Sequence, residues 1–134
     1  MYKIMALDVG TKRIGIVLSD FLHVIATPHS YIARKPEESA IAEIIKIAKE
    51  NHVEKIVVGL PVNMDGSVGS QAEDCVKFSQ KINGFDIILE DERLTSEEAE
   101  ERLRFRKVDF RKNKGLVDIE SACVILEQYL RKLS

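Results

Sequence analysis

Tryptophan, cysteine and proline are scarce in this chain, and the scarcity of cysteine argues against two classes of protein. There is no tryptophan, and the two cysteines, Cys75 and Cys123, sit outside any CxxC or other metal-ligand spacing. That argues against a disulfide-stapled secreted scaffold and against a zinc–thiolate site. Both cysteines fall on apolar faces of expected helices and read as buried thiols. His23, His29 and His52 have no spacing that would make them ligands and read as structural or exposed. The three prolines and seven glycines are scattered, with no internal repeat, low-complexity segment or linker to divide the chain. No apolar run approaches the roughly 20 residues that span a bilayer. Met1-Tyr2-Lys3 leads directly into a strand rather than a secretory signal, so a cytoplasmic protein with no membrane association is expected. An excess of one charge is also missing: 20 basic residues face 22 acidic ones, for a net charge of −2. Bulk charge therefore does not advertise nucleic-acid binding, although it leaves room for a local basic patch.

What remains is an ordinary globular composition, 45% hydrophobic and 31% charged, in a length that suits one domain spanning 1–134 with a sound core. Two apolar runs, Ile4–Val9 and Ile14–Ser19, flank a Gly-Thr-Lys-Arg turn and predict a β-hairpin in a buried sheet. A third strand is expected around Val24 to Tyr31, with Pro28 suggesting an edge or a bulge. Pro36, Glu37 and Glu38 open a helix to about Asn51, its apolar stripe running through Ile41, Ile44, Ile45 and Ala48. Lys55–Gly59 reads as a covered parallel strand, and Leu60–Gly69 as a loop. A second helix is expected from about Ser70 to Asn83, with Gly84 as its C-cap. A fifth strand follows at Asp86–Leu89. Thr95-Ser96-Glu97-Glu98 reads as a capping box opening a third helix to about Phe105. Arg106–Gly115 reads as a charged loop, and a last helix runs from about Val117 to Leu133. This order predicts an α/β fold: a five-stranded mixed sheet, three antiparallel strands followed by parallel βα units, with helices on its faces.

The chemistry is suggested by misplaced acids. Asp8 ends an apolar run, where a carboxylate is costly to desolvate unless something pairs with it. The run Glu90-Asp91-Glu92 leaves the fifth strand, and Asp118 begins the last helix. Sites in open sheets lie beyond the carboxyl ends of the parallel strands. Carboxylates from two strand ends and a helix packed over them can hold one or two divalent ions, and such a pair can clamp a scissile phosphate and activate water. Oxygen donors without a Cys/His cluster suit Mg²⁺ or Mn²⁺. Taken singly, each acid has a blander reading: a structural aspartate bonded to its turn at Asp8, an N-cap at Asp118, a solvated charge at Glu92. Alternation along the fifth strand puts Asp91 on the opposite face from its neighbours, so which of Glu90, Asp91 and Glu92 serves is left open. On the basic side, Lys12 and Arg13 lie in the first turn. Between Arg102 and Lys114 seven basic residues (Arg102, Arg104, Arg106, Lys107, Arg111, Lys112 and Lys114) stand against Asp109, with Phe105 and Phe110 interleaved. Such a segment can follow a phosphate backbone while aromatics stack on bases.

Four stretches in order across the chain resemble the YqgF (RuvX) family, nuclease-like proteins similar to Holliday-junction resolvases within the RNase H-like superfamily. They are Asp8-Val9-Gly10-Thr11-Lys12-Arg13-Ile14-Gly15, Val58-Gly59-Leu60-Pro61-Val62-Asn63-Met64-Asp65-Gly66-Ser67, Asp91-Glu92-Arg93-Leu94-Thr95-Ser96, and Lys114-Gly115-Leu116-Val117-Asp118 leading into Ser121-Ala122. The resemblance implies an RNase H-like three-layer fold, a cytoplasmic metal-dependent nuclease and a role in processing the 5′ end of pre-16S ribosomal RNA. It implies Asp8, Glu92 and Asp118 as catalytic metal ligands. Lys12, Arg13, Arg93, Arg104, Arg106, Arg111, Lys112 and Lys114 are the expected substrate contacts. The resolvase pattern has an acid at the end of the fourth strand, where this chain reads Gly59-Leu60-Pro61, so Glu92 would have to substitute. Partners would be nucleic acid, precursor ribosomal RNA ahead of branched DNA, bound by a monomer or a homodimer. A Holliday-junction resolvase and a non-catalytic RNA-binding assembly protein are the competing readings. Asp-x-Gly-Thr also resembles the phosphate turn of actin-like ATPases, but those bind nucleotide between two domains.

Overall fold

The computed structural model describes residues 1–92, 95–107, 109 and 112–133, with the side chains of 95 and 96 outside that description. Its elements are β1 (Lys3–Val9), β2 (Arg13–Ser19), β3 (Ala26–Ala33), α1 (Glu37–Glu50), β4 (Val53–Leu60), α2 (Ser70–Gln80), β5 (Asp86–Asp91), α3 (Thr95–Phe105) and α4 (Lys114–Leu133). The strands form one sheet in the order β3-β2-β1-β4-β5. β1/β2 and β2/β3 pair antiparallel, while β1/β4 and β4/β5 pair parallel. The predicted mixed five-stranded sheet with helices on both faces is the observed one.

Period-two alternation divides the core into two layers. Met5, Leu7, Ile16, Ile56 and Val58 face α1 and α2, where Ile44, Ile47, Cys75 and Phe78 meet them. Ile4, Ala6, Val17 and Val57 face α4, packing on Ala122, Ile125, Leu126 and Leu130. α3 packs on α4. Both thiols are buried and unbridged. No helix among the described residues is long and apolar enough to cross a membrane.

Several expected boundaries move for identifiable reasons. β3 starts at Ala26, leaving Val24 and Ile25 exposed in the turn, where Asp20 Oδ1 accepts their two backbone N–H groups. This Asx-type turn outcompetes extended pairing. Pro28 does lie on an edge strand, beside a register shift. The buried stripe of α1 is Ala40, Ile44, Ile47 and Ala48, with Ile41 and Ile45 on its flanks. α2 ends at Gln80, and Gly84, with φ +93, serves the turn into β5 rather than a cap. Phe78 is fully buried on α2. β5 extends through Glu90 and Asp91. α4 begins at Lys114, so Asp118 lies in the helix body and is not its N-cap. Leu133 is half-exposed at the end of α4.

Candidate active site

Alternation fixes where Asp8 points. Ile4 and Ala6 face α4, so Asp8, two residues further along β1, faces it too. Its partner across the β1/β2 hairpin is Gly15. A Cβ on Gly15 would lie 2.2 Å from the Asp118 carbonyl oxygen. Only glycine lets the backbone of α4 rest on the sheet there, and this contact brings Asp118 beside Asp8. Arg13, at the start of β2, donates from Nε to Asp118 Oδ2 at 2.7 Å.

The third acid reaches the same place through another glycine. Ile88 packs on the α4 face, so Glu90 and Glu92 continue on that face while Asp91 turns to the other. Glu90 is buried and ion-paired to Lys132 near the C-terminal end of α4. The Glu92 N–H donates to the Leu60 carbonyl at 3.1 Å. Its carboxylate folds back over β4, where a Cβ on Gly59 would be 2.6 Å from Glu92 Oε2. Gly59, having no side chain, leaves the space that the Glu92 carboxylate occupies.

Asp8, Glu92 and Asp118 line a single cavity of about 350 Å³ with Gly10, Pro61, Met64, Gln71 and Glu97. Its electrostatics are those of crowded, buried acids. Burial, then the neighbouring Asp118, pushes Asp8 up to about 7. Burial, then Asp8 and Asp91, pushes Glu92 up to about 8. Asp118 is also raised by burial, with the Arg13 guanidinium pulling the other way. Acids held above their ordinary range ionise there only at a cost, which a bound cation would offset. The donors are all hard oxygens, as Mg²⁺ and Mn²⁺ require. Among the described residues, however, no three His, Cys, Asp or Glu side chains are drawn together closely enough to hold a metal ion as they stand.

The basic residues separate into two groups. Arg13, Lys112 and Lys114 line a second pocket of about 420 Å³, joined to the acidic cavity through Arg13. The arginines of α3 and the turn after it are committed elsewhere: Arg102 to Glu98, Glu120 and Glu127, Arg104 to Glu100, and Arg106 to Glu120. None of these lines the acidic cavity. Lys12 is exposed at the hairpin turn. Arg93, Phe110 and Arg111 lie outside the described residues.

Three participants escaped the sequence reading. Glu97 was absorbed by its capping-box pattern, and Gln71 carries no motif. Arg34 is buried at the end of β3. It donates to the Gly10 carbonyl at 2.9 Å and to both Asp74 oxygens at 3.0 Å, with its guanidinium over the Phe78 ring. It thereby clamps the turn that follows Asp8. The only signal was an arginine closing an otherwise uncharged strand. The larger cavity of about 730 Å³ on that side of the turn contains Arg34, Glu37 and Asp74, whose charges are spent on one another.

Comparison with known proteins places this geometry in context. Residues 2–132 match the family model RuvX, described as Holliday junction resolvase. A protein of Picosynechococcus sp. named "Putative pre-16S rRNA nuclease" is 43% identical over 94% of this chain and 90% of its own length. A protein of the same name from Clostridioides difficile is 40% identical over 96% of this chain and 93% of its own. Among solved structures, the fowlpox virus resolvase in complex with Holliday junction DNA superposes with a TM-score of 0.60 at 10% identity, covering 98% of both chains. Thermus thermophilus RuvC with a Holliday junction substrate also gives 0.60, at 11% identity over 99% of this chain and 96% of that one. At such identities the likeness is one of fold.

Proposed function

Because the chain belongs to the RuvX family, whose activity is nuclease- or resolvase-like, we propose that it is a metal-dependent nuclease that hydrolyses phosphodiesters in precursor 16S ribosomal RNA. The observation that carries this reading is the convergence of Asp8, Glu92 and Asp118, from three different elements, on one cavity beside a basic pocket. The name shared by the relatives points to the RNA substrate.

In this reading Asp8, Glu92 and Asp118 hold Mg²⁺ or Mn²⁺ through carboxylate oxygens. An ion held there would supply positive charge at the phosphate and lower the pKa of water. The raised acids support the assignment, since a divalent cation would offset both the burial and the neighbouring negative charge that lift them. Gly15 and Gly59 keep the cavity open for the carboxylates. Arg13 orients Asp118 and faces the basic pocket, where Lys112 and Lys114 would neutralise the substrate backbone. Lys12 extends that positive edge along the hairpin. Arg104 and Arg106 would have to exchange their glutamate partners to reach a phosphate, and Arg93 and Arg111 stay in the proposal as sequence expectations.

One observation favours the non-catalytic alternative. Asp118 is already satisfied by Arg13, so metal binding through Asp118 must compete with that ion pair. The test compares the protein and its Asp8→Asn variant on an end-labelled precursor ribosomal RNA leader, generic single-stranded RNA, duplex DNA and a four-way junction. Each is run with Mg²⁺, Mn²⁺ and chelator. Metal-dependent cleavage of the leader, lost in Asp8→Asn, is the expected outcome. Preferred cleavage of the junction would replace the RNA processor by a resolvase. Equal binding by both proteins with no cleavage of any substrate would leave an RNA-binding role.

A further inference from the structure

The basic pocket beside the acidic cavity contains an aromatic side chain that neither composition nor motif singled out. Tyr31 is on β3, an edge of the sheet, and is 51% exposed. Its cross-strand partner is Gly15, which is also the partner of Asp8. Tyr31, Gly15 and Asp8 therefore form one row across three strands, and residues in such a row share a face. The row places Tyr31 about 10 Å from Asp8, two strand spacings away. Between them is a glycine with Asp118 lying over it.

The surroundings of the ring are equally specific. A Cβ on Gly115 would fall 2.4 Å from the Tyr31 ring, so the first turn of α4 is pressed against one part of the aromatic while the rest stays open. The pocket is lined by Arg13, Tyr31, Lys112, Asn113, Lys114 and the Gly115–Leu116 segment. Among the described residues, three cations and no carboxylate line it, on a chain whose net charge is −2. Lys112 and Lys114 are exposed. Arg13 spends its Nε on Asp118, whereas the arginines of α3 are matched with glutamates.

We propose that this pocket is a subsite for one unpaired nucleotide of the substrate, whose base stacks on Tyr31 while Lys112, Lys114 and Arg13 hold the adjoining phosphate. An exposed aromatic face with cations around it is the arrangement that binds single strands, because every base offers a π-face once it leaves a duplex. A base held within a duplex cannot present that face. The subsite therefore selects single-stranded or locally unpaired RNA over continuous duplex and sets the register of the strand at the acidic cavity. The inference rests on the nuclease reading for its register, but binding at the pocket is read independently of cleavage.

The experiment measures binding by fluorescence anisotropy in the Asp8→Asn background, using a labelled single-stranded RNA 12-mer, its blunt duplex, and 12-mers with one abasic nucleotide moved along the strand. Tyr31→Leu, which keeps apolar volume against Gly115, should weaken single-strand binding about 5- to 50-fold and duplex binding less than twofold. Tyr31→Phe should retain single-strand affinity within twofold. In the parent, one abasic position should weaken binding to a similar degree, and that penalty should vanish in Tyr31→Leu. The abasic scan needs no substitution at Tyr31, so it stands even if Tyr31→Leu fails to fold. A flat abasic scan, or equal loss of single-strand and duplex binding in Tyr31→Leu, would overturn the subsite. Tyr31-dependent stacking in a protein that cleaves nothing would overturn the nuclease and leave the subsite. Cleavage by the otherwise wild-type protein that is unaltered by Tyr31→Leu, with a flat scan, would do the reverse.

Discussion

Replacing Asp8 by Asn should make the metal-free protein more stable at pH 8, the opposite of what loss of a structural aspartate would do. Asp8 rises from 3.8 to about 7 because it is buried and stands beside Asp118. Between those values the folded state binds a proton that the unfolded chain does not, so stability falls as pH climbs through the window. Below about pH 4 both states are protonated and the effect disappears. Above pH 7 it is complete, and a difference of about three pH units corresponds to roughly 4 kcal/mol against the folded state. Asparagine keeps the shape and removes the charge. Because the asparagine amide must itself be buried, the gain should be about 1–3 kcal/mol, a Tm rise of about 3–12 °C for a chain of this size. The assay is thermal denaturation followed by circular dichroism in chelator at pH 5, 6, 7 and 8. The variant's advantage should grow across the series and be smallest at pH 5. Adding Mg²⁺ or Mn²⁺ at pH 8 should then raise the Tm of the parent and leave Asp8→Asn nearly unmoved. A lower Tm for Asp8→Asn at pH 8 would mean that donors stabilise the ionised Asp8, and both the charge argument and the metal proposal would lose their footing.

Three other substitutions probe the frame around the cavity. Glu92→Gln should abolish metal-dependent cleavage and metal-induced stabilisation, whereas Glu90→Gln, on a side chain paired with Lys132 away from the cavity, should leave cleavage within twofold; the reverse ranking would reassign the β5 ligand. Gly15→Ala puts a methyl 2.2 Å from the Asp118 carbonyl oxygen, backbone that cannot swing aside, so urea denaturation should show a loss of at least about 3 kcal/mol, and a neutral result would mean that α4 does not sit on β2 as described. Arg34→Ala removes a buried cation bonded to Gly10 and Asp74 and should cost about 2–4 kcal/mol by the same assay, with Arg34→Lys recovering only part because it cannot reproduce the two-toothed grip on Asp74.

The sheet was legible because its strands carry their alternation openly, and Asp8 was conspicuous because a carboxylate interrupts that alternation. Asp118 was harder. The chain from Arg106 to Gly115 is charged and aperiodic, so α4 is expected from about Val117, with an N-cap as the blander reading of Asp118; the helix instead begins at Lys114, and its first turn packs against Tyr31. The basic run read as one patch because sequence proximity says nothing of partners. Glu98, Glu120 and Glu127 neutralise Arg102 from α3 and α4, and two of these acids are far from it in sequence. Arg34 and Tyr31 were missed for one reason: each acts through a cross-strand or cross-element neighbour, and neither stands in a local motif.

The exchange between β4 and β5 can be tested as a unit. If an acid at position 59 and one at position 92 are alternative occupants of the same volume, they cannot both be present without strain, because a Cβ at 59 already meets Glu92 Oε2 at 2.6 Å and Ile125 Cδ1 at 2.5 Å. Gly59→Asp alone should therefore destabilise the fold by about 2–4 kcal/mol, adding a steric clash and a further negative charge to an acidic cavity. Glu92→Gly alone should remove the metal response while costing little stability. In the double variant the carboxylate count is restored and the clash with Glu92 removed, while the contact with the flexible end of Ile125 persists. The two changes should couple by about 1–3 kcal/mol in a double-mutant cycle of urea stabilities, and the Mg²⁺- or Mn²⁺-induced rise in Tm should partly return. Strict additivity, with no returned metal response, would show that Gly59 and Glu92 do not share the space and that the acid after β5 serves the site in some other way than as a substitute for one on β4.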